Sequence, residues 1–300
     1  MKKIYIICTI ICIFTAGITL TACSTPQATE SEKIGVTVSI LPQKYFVERI
    51  GGDLVTVNVM VGPGEDPHTY EPQPAQMQAL STSQIYFTIG VEFEDAWLEK
   101  FKDTNPELKI IDTSANVEKI TMIAEENHEE GNEEDHEHGE MDPHIWLSPA
   151  NVRMIAQSIA TTLSEADPQN SATYQNNLAA FLQDIDSLDE EIRASLSPLS
   201  TRKFITFHPA WGYFARDYNL EQISIEVEGN EPSATEMANL ISFAKAHDIH
   251  FIFAEPEFNT KSAETIAAEI DGQVILISPL AEDWLGNLKS VAQSIASALQ

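Results

Sequence analysis

Apolar and polar residues alternate in short runs from Gly35 onward, with the period expected of half-buried β-strands. The clearest run, 55–61, places four valines on one face and stops at the turn sequence Gly62-Pro63-Gly64. Further strands are predicted at 35–40, 85–89 and 109–111, and helices at 43–50, 74–81 and 96–101. Strands that alternate with helices in this way indicate a parallel sheet in an α/β lobe.

The middle of the chain changes to a helical period. An amphipathic helix is predicted at 149–163, and a longer one at 170–196, where apolar residues advance in threes and fours. Asp167-Pro168 is a start signal for the longer helix, and Pro198 ends it. A helix of this length can bridge two lobes.

The last third repeats the alternation of strands and helices. Strands are predicted at 204–207, 223–227, 251–253 and 274–277, and helices at 211–217, 233–247, 262–270 and 288–299. Ser233 and Glu236 form a capping-box sequence at the start of one of these helices. We therefore expect an α/β fold of two lobes, each a mainly parallel sheet flanked by helices. The expected division is 34–165 for the first lobe, 166–199 for the linking helix and 200–300 for the second lobe.

The first segment has the features of an export signal. Lys2 and Lys3 precede an apolar run from Ile4 to Leu20, and a polar stretch follows Cys23. The order Leu-Thr-Ala-Cys resembles the lipoprotein cleavage box, in which the cysteine becomes the lipidated first residue. We expect a signal peptide at 1–22, lipidation of Cys23, a flexible tether at 23–33, and an extracytoplasmic body anchored to the cell membrane. The alternative is an uncleaved single-pass anchor.

Charge and cysteine content exclude several classes of function. The 300 residues include 46 acidic and 17 basic ones, a formal net charge of −29, which argues against a nucleic-acid partner and favours attraction of cations. The 43% of hydrophobic residues suffices for a packed core. The cysteines are Cys8, Cys12 and Cys23, so the body after residue 23 has no disulfide, thiolate metal site or cysteine nucleophile.

Residues 125–140 form an acidic block that contains three histidines, His128, His136 and His138. Such a block cannot bury itself, and we expect a loop. Its many weak ligands would raise the local concentration of cations and serve as an auxiliary metal-capture segment. The alternative is a solvated linker with no role in binding.

Three other histidines occupy turns next to predicted strands or helices. His68 follows the Gly-Pro-Gly turn, His208 comes directly after the strand at 204–207, and His144 precedes the helix at 149–163. Ligands of open α/β sheets bind at the carboxyl ends of strands, so His68 and His208 are placed to face a cleft from opposite lobes. Three imidazoles would leave a fourth tetrahedral position of Zn²⁺ open. The alternative is three unrelated turn histidines.

Five sequence segments are similar to those of a known protein family: GPGEDPHTYEP, DPHIWLSP, FHPAWGYFA, NEPSA and FAEPEF. In this order they resemble the signature segments of the solute-binding lipoproteins of zinc and manganese ABC transporters, and the likeness runs from about Val36 to the C-terminus. The resemblance implies two α/β lobes joined by one long rigid helix, with a metal in the cleft between them. It further implies a monomeric binding protein whose partners are a permease and its ATPase, with no catalytic residues.

The resemblance also implies the metal ligands. They fall on His68, His144 and His208, and the manganese-type members carry a carboxylate where His208 stands. Imidazole suits zinc whereas carboxylate suits manganese, so His208 favours Zn²⁺ over Mn²⁺. The family often has a fourth ligand, an aspartate, where this chain has Ser278.

The sequence does not determine the fourth ligand. A serine hydroxyl is a poor ligand, so we expect water there, or a nearby acid, Glu282 or Asp283. Glu255 is expected to orient a ligand from behind, to cap a helix or to contact solvent. His247 and His250 are expected at the surface, near the end of a helix.

The sequence therefore predicts a protein that captures Zn²⁺ outside the cell and delivers it to an ABC transporter permease. Alternatives within the binding class are manganese or ferrous iron. A zinc hydrolase is a second class, because three histidines and a water also describe a catalytic site. A surface adhesin is a third.

Overall fold

The first sheet and its helices follow the predicted alternation. The computed structural model describes residues 33–122, 141–226 and 230–300. The elements up to residue 112 are β1 (Ile34–Val38), α1 (Leu41–Gly51), β2 (Val55–Val59), α2 (Pro74–Leu80), β3 (Ile85–Thr88), α3 (Glu92–Thr104) and β4 (Lys109–Asp112). The four strands are parallel in the order β2-β1-β3-β4, so their carboxyl ends lie along one edge.

The second sheet has the same strand arrangement. Its elements are β5 (Lys203–Thr206), α6 (Gly212–Tyr218), β6 (Glu221–Ser224), α7 (Ala234–Ala246), β7 (Phe251–Ala254), α8 (Lys261–Glu269), β8 (Gln273–Leu276) and α9 (Trp284–Ala298). The strands are parallel in the order β6-β5-β7-β8. The α/β fold class with two parallel-sheet lobes is confirmed.

Two helices lie between the sheets in the sequence, α4 (Pro149–Ala166) and α5 (Ser171–Leu196). The long helix α5 joins the lobes and packs against α1, α4 and α9. Its buried positions recur every three or four residues: Tyr174, Leu178, Phe181, Ile185, Leu188, Ile192 and Leu196. This apolar stripe explains why α5 forms, since burial of one face stabilises a helix more than its intrinsic propensity does.

One apolar core runs through both lobes. It extends from β1 and α1 through α4 and α5 to α9, while a smaller core covers the other face of the second sheet. Two buried tryptophans cross-link the lobes within the larger core. The indole N–H of Trp146 donates to the carbonyl of Pro279 at 2.7 Å, and that of Trp284 donates to the carbonyl of Trp146 at 2.7 Å. Paired donors allow these large side chains to be buried without an unsatisfied polar group.

Some predicted boundaries were wrong by several residues. Helix α3 begins at Glu92 rather than at 96, because acidic residues in its first turn favour the helix N-terminus although they carry no apolar period. Helix α9 begins at Trp284 rather than at 288, because Asp283 caps it. Strand β6 is Glu221–Ser224 rather than 223–227, since the left-handed residue Asn219 ends α6 just before it.

The predicted signal peptide, Cys23, residues 23–32 of the tether and the histidine-containing block 125–140 lie outside the described residues. Within the described ranges, no helix combines the length and the apolar character needed to cross a bilayer.

Phe181 on α5 tests the shared core. Its ring lies 6.0 Å from those of Tyr45 and Phe46 and 6.3 Å from that of Trp284, centroid to centroid. We expect Phe181→Ala to lower the free energy of unfolding by about 3–5 kcal/mol, because it leaves a cavity between helices. Urea unfolding measures this, with the exposed Gln183→Ala on the same helix as the control, expected within about 0.5 kcal/mol of wild type. Equal free energies of unfolding for the two variants would contradict the assignment of Phe181 to the shared core.

Candidate metal centre

The three turn histidines come from the chain connections that follow β2, β4 and β5. His68 lies between β2 and α2, His208 lies two residues after β5, and His144 caps a short 3₁₀ turn at Ile145–Leu147 before α4. Two of them share a local device, an aspartate two residues earlier. Asp66 Oδ1 accepts the backbone N–H of His68 at 2.9 Å, and Asp142 Oδ1 accepts that of His144 at 2.8 Å. The Asp-Pro-His sequence thus fixes the backbone at both turns.

The structure brings the three imidazoles together. Nε2 of His208 lies 3.1 Å from Nε2 of His68 and 3.2 Å from Nε2 of His144. One ring nitrogen from each histidine lies within 4.8 Å of the others. Two nitrogens bound tetrahedrally to Zn²⁺ at about 2.0–2.1 Å stand about 3.3 Å apart, so these spacings fit one shared ion.

Each imidazole turns its other nitrogen toward a carboxylate. The Nδ1 distances are 2.9 Å from His68 to Glu92 Oε2, 2.8 Å from His144 to Asp142 Oδ1, and 2.5 Å from His208 to Glu226 Oε2. At His144 and His208 this contact is a hydrogen bond, so the carboxylate keeps the proton on Nδ1 and leaves a lone pair on Nε2, whereas Glu92 Oε2 lies within ion-pairing distance of Nδ1 of His68. Neighbouring Nε2 atoms that carry lone pairs are the electronic arrangement that a divalent cation requires.

Burial and nearby charges shift the pKa values of His208 and His68 in opposite directions. Burial lowers the pKa of His208 from its ordinary value, and the neighbouring imidazoles add to this effect although Glu226 opposes it. Burial alone would lower the pKa of His68, but the attraction of Glu92 outweighs it and raises that pKa. In the same pair, burial would raise the pKa of Glu92, yet its contact with His68 lowers it. His208 is therefore held neutral, whereas His68 gains a proton more readily than His208 does.

His208 has two further supports. Glu255 is fully buried, and its Oε2 accepts the backbone N–H of His208 at 3.1 Å while its Oε1 accepts the indole N–H of Trp211 at 3.3 Å. Burial raises the pKa of Glu255 to about 8, against the effect of these donors. The ring of Phe258 stacks on that of His208 with centroids 4.7 Å apart. Of the three interpretations of Glu255, its burial and its contact with the backbone of His208 support orientation of a ligand from behind.

The residues considered for a fourth ligand have other contacts. The hydroxyl of Ser278 donates to Glu257 and accepts the backbone N–H of Leu280 at 3.1 Å. Glu282 forms an ion pair with Lys44, and Asp283 Oδ1 accepts a backbone N–H in the first turn of α9. Among the described residues, neither acid belongs to the group of ligand atoms that contains the three histidines.

Sequence reasoning missed the carboxylates at Nδ1. Asp142 carried a signal, because it stands in the same Asp-Pro-His sequence as His144. Glu92 and Glu226 carried none, since each is far along the chain from its histidine and reaches it only through the fold. His247 and His250 are exposed, as expected. His128, His136 and His138 lie outside the described residues.

Curated relatives resemble most of this chain. It is 30% identical over 288 residues to the zinc-binding lipoprotein AdcA of Streptococcus pneumoniae strain R6, a match that covers 93% of this chain and 56% of the relative. It is also 30% identical over 286 residues to a putative metal-binding protein of Chlamydia trachomatis serovar D, covering 95% of this chain and 97% of that protein. The chain thus spans about half the length of the AdcA relatives that it matches.

Solved structures share the fold, and a family model matches the chain. A crystal structure of ZnuA superposes with a TM-score of 0.82 at 49% identity, covering 90% of this chain and 100% of that one. The laminin-binding protein of Streptococcus agalactiae, at 23% identity and a TM-score of 0.78, shares the fold. The model of the family described as zinc-uptake complex component A, periplasmic, matches residues 36–298. The chain belongs to this family of periplasmic zinc-uptake components.

Proposed function

We propose that this protein binds Zn²⁺ outside the cytoplasm and delivers it to the permease of an ABC transporter, which an ATPase drives. The observation that carries the proposal is the convergence of the His68, His144 and His208 Nε2 atoms, 3.1–3.2 Å from His208 to each of its neighbours. Membership of the zinc-uptake family supports the same function. The ion is the cargo, so the site has to bind it tightly and still release it.

The chemistry of the donors supports zinc as the cargo. Three neutral nitrogen donors suit Zn²⁺, whereas Mn²⁺ prefers carboxylate and water oxygens. The carboxylates around the site contact Nδ1 atoms, so they hold the rings rather than offer themselves to the ion. Water would complete the tetrahedron at a fourth position. Three imidazole nitrogens are a less suitable ligand set for manganese and ferrous iron.

The same arrangement supports transport rather than hydrolysis. A catalytic zinc site needs a base or acid beside the metal-bound water. Within the described residues, the acids Glu92, Asp142 and Glu226 each lie against an imidazole Nδ1. Family membership as a solute-binding transport component points the same way.

Attachment and organisation complete the proposal. Cleavage after residue 22 and lipidation of Cys23 would anchor a monomer to the outer face of the cell membrane through the tether 23–33. Relatives named zinc-binding lipoproteins support this location. Residues 34–165 and 200–300 would act as two lobes on the linking helix 166–199, with His128, His136 and His138 as auxiliary capture groups.

Removal of one imidazole tests the site directly. We expect purified wild-type protein to hold one tightly bound zinc ion, and His208→Ala to lower the zinc affinity more than about 100-fold, because a primary ligand counts for more than its supporting partner. Competition with a chelator measures this affinity. The matched control is His247→Ala, which removes an exposed histidine and should leave the affinity unchanged.

The same titration run with manganese tests the choice of ion. Preference for Mn²⁺ over Zn²⁺ at equal free concentration would contradict zinc as the cargo. Unchanged zinc affinity in His208→Ala would contradict the site itself.

Zinc affinity should also depend on pH through His68. Because Glu92 raises the pKa of His68, that ring takes up a proton at higher pH than His208 does, and a protonated ring cannot bind the ion. We expect Glu92→Gln to move the onset of affinity loss to lower pH, although affinity at high pH falls about tenfold through poorer orientation. Zinc dissociation constants measured from about pH 8 to about pH 5 give the two profiles. An onset that stays in place or moves to higher pH would contradict this account.

A further inference from the structure

A tyrosine on a helix of the second lobe contacts the chain segment that carries His144. Tyr213 on α6 is fully buried. Its hydroxyl donates to the backbone carbonyl of Asp142 at 2.9 Å and accepts the backbone N–H of Ile120 at 3.2 Å. One phenol oxygen therefore joins two backbone positions that are 22 residues apart in sequence.

These two positions also bind each other. The backbone N–H of Asp142 donates to the carbonyl of Ile120 at 2.9 Å, and Thr121 and Met141 form an antiparallel bridge. The N–H and the carbonyl of Asp142 are thus both occupied, one by Ile120 and the other by Tyr213. With both peptide groups held, the backbone at Asp142 has little freedom to rotate.

The neighbouring glycine leaves room for the side chain of the same aspartate. A Cβ at Gly212 would lie 2.6 Å from Oδ2 of Asp142, closer than such atoms approach, so only glycine lets the carboxylate rest against α6. The other oxygen, Oδ1, accepts both the backbone N–H and Nδ1 of His144 at 2.8 Å. The position of the carboxylate therefore determines where the imidazole points.

We propose that Tyr213 and Gly212 are positioning residues for the metal ligand His144, acting through Asp142. The inference rests on the proposed function, since it assigns the way in which one imidazole of that site is held. A group that fixes an imidazole before the ion arrives raises affinity, because the ion does not have to order the ring on binding. Gly212 and Tyr213, which follow His208 in the chain, thereby orient His144. The segment that carries His208 thus also supports His144.

The first test compares two tyrosines of the same helix. Tyr213→Phe should lower zinc affinity about tenfold, the effect expected for loss of an outer contact that orients a ligand. Tyr218→Phe is the matched control, because Tyr218 is also buried and donates its hydroxyl to Asp189 at 2.8 Å, outside the site. Its zinc affinity should stay within about twofold of wild type. Thermal unfolding of both metal-free variants shows that each is folded.

The second test compares two glycines that each contact an aspartate. Gly212→Ala should displace the Asp142 carboxylate and lower zinc affinity by about tenfold or more. Gly286→Ala is the control, because a Cβ there would meet Asp283 Oδ2 at 2.2 Å in the first turn of α9, outside the ligand group. It should cost thermal stability and leave zinc affinity unchanged. Zinc affinities that fall equally in both glycine variants would overturn the proposal.

A spectroscopic readout separates positioning from general destabilisation. In the metal-free protein, the ¹⁵N resonances of the His144 ring report whether Nδ1 carries the proton, as the contact with Asp142 requires. Tyr213→Phe should shift these resonances toward a mixture of tautomers, whereas Tyr218→Phe should not. Unchanged His144 resonances together with wild-type affinity in Tyr213→Phe would overturn the proposal.

His144→Ala, measured alongside, distinguishes failure of the proposed function from failure of the positioning role. If this variant binds zinc as wild type does, the proposed function itself fails. If it loses affinity while Tyr213→Phe and Gly212→Ala keep theirs, only the positioning role fails.

Discussion

The structure depends on holding three imidazole lone pairs against one another. Nε2 atoms 3.1–3.2 Å apart repel when each carries a lone pair, and the arrangement is favourable only around a positive charge. Carboxylates at the three Nδ1 atoms fix this protonation pattern and counter the loss of hydration. This arrangement fits a cation site rather than a chance meeting of turn histidines.

The fold supplies the rigidity that such an arrangement needs. The long helix α5 packs against α1 and α9, and the two buried tryptophans each donate a hydrogen bond across the lobes, Trp146 to Pro279 and Trp284 to Trp146. Asp142 shows how closely the site is tied to this interface, since its carbonyl is held by Tyr213 from α6. Interiors packed in this way shift between discrete arrangements rather than deform gradually, so we propose that release of the ion requires an outside force such as binding to the permease.

Local features of the sequence were sufficient to predict the order of strands and helices and the placement of the three histidines at turns. Periodicity is a property of neighbouring residues, so α5 could be predicted from its apolar stripe, whereas the start of α3 lay in acidic residues without a period. The assignment of His68, His144 and His208 as ligands came from family resemblance. Glu92, Glu226 and Tyr213 could not be predicted, because they reach the site from distant parts of the chain and their roles exist only once the chain has folded.

The most direct test of the central claim is X-ray absorption spectroscopy of the full protein loaded with one equivalent of zinc. We expect three imidazole nitrogens at about 2.0–2.1 Å with one additional light atom, and the loss of one imidazole in His68→Ala. A shell dominated by oxygen, or an imidazole count that His68→Ala leaves unchanged, would contradict a site formed by these three rings.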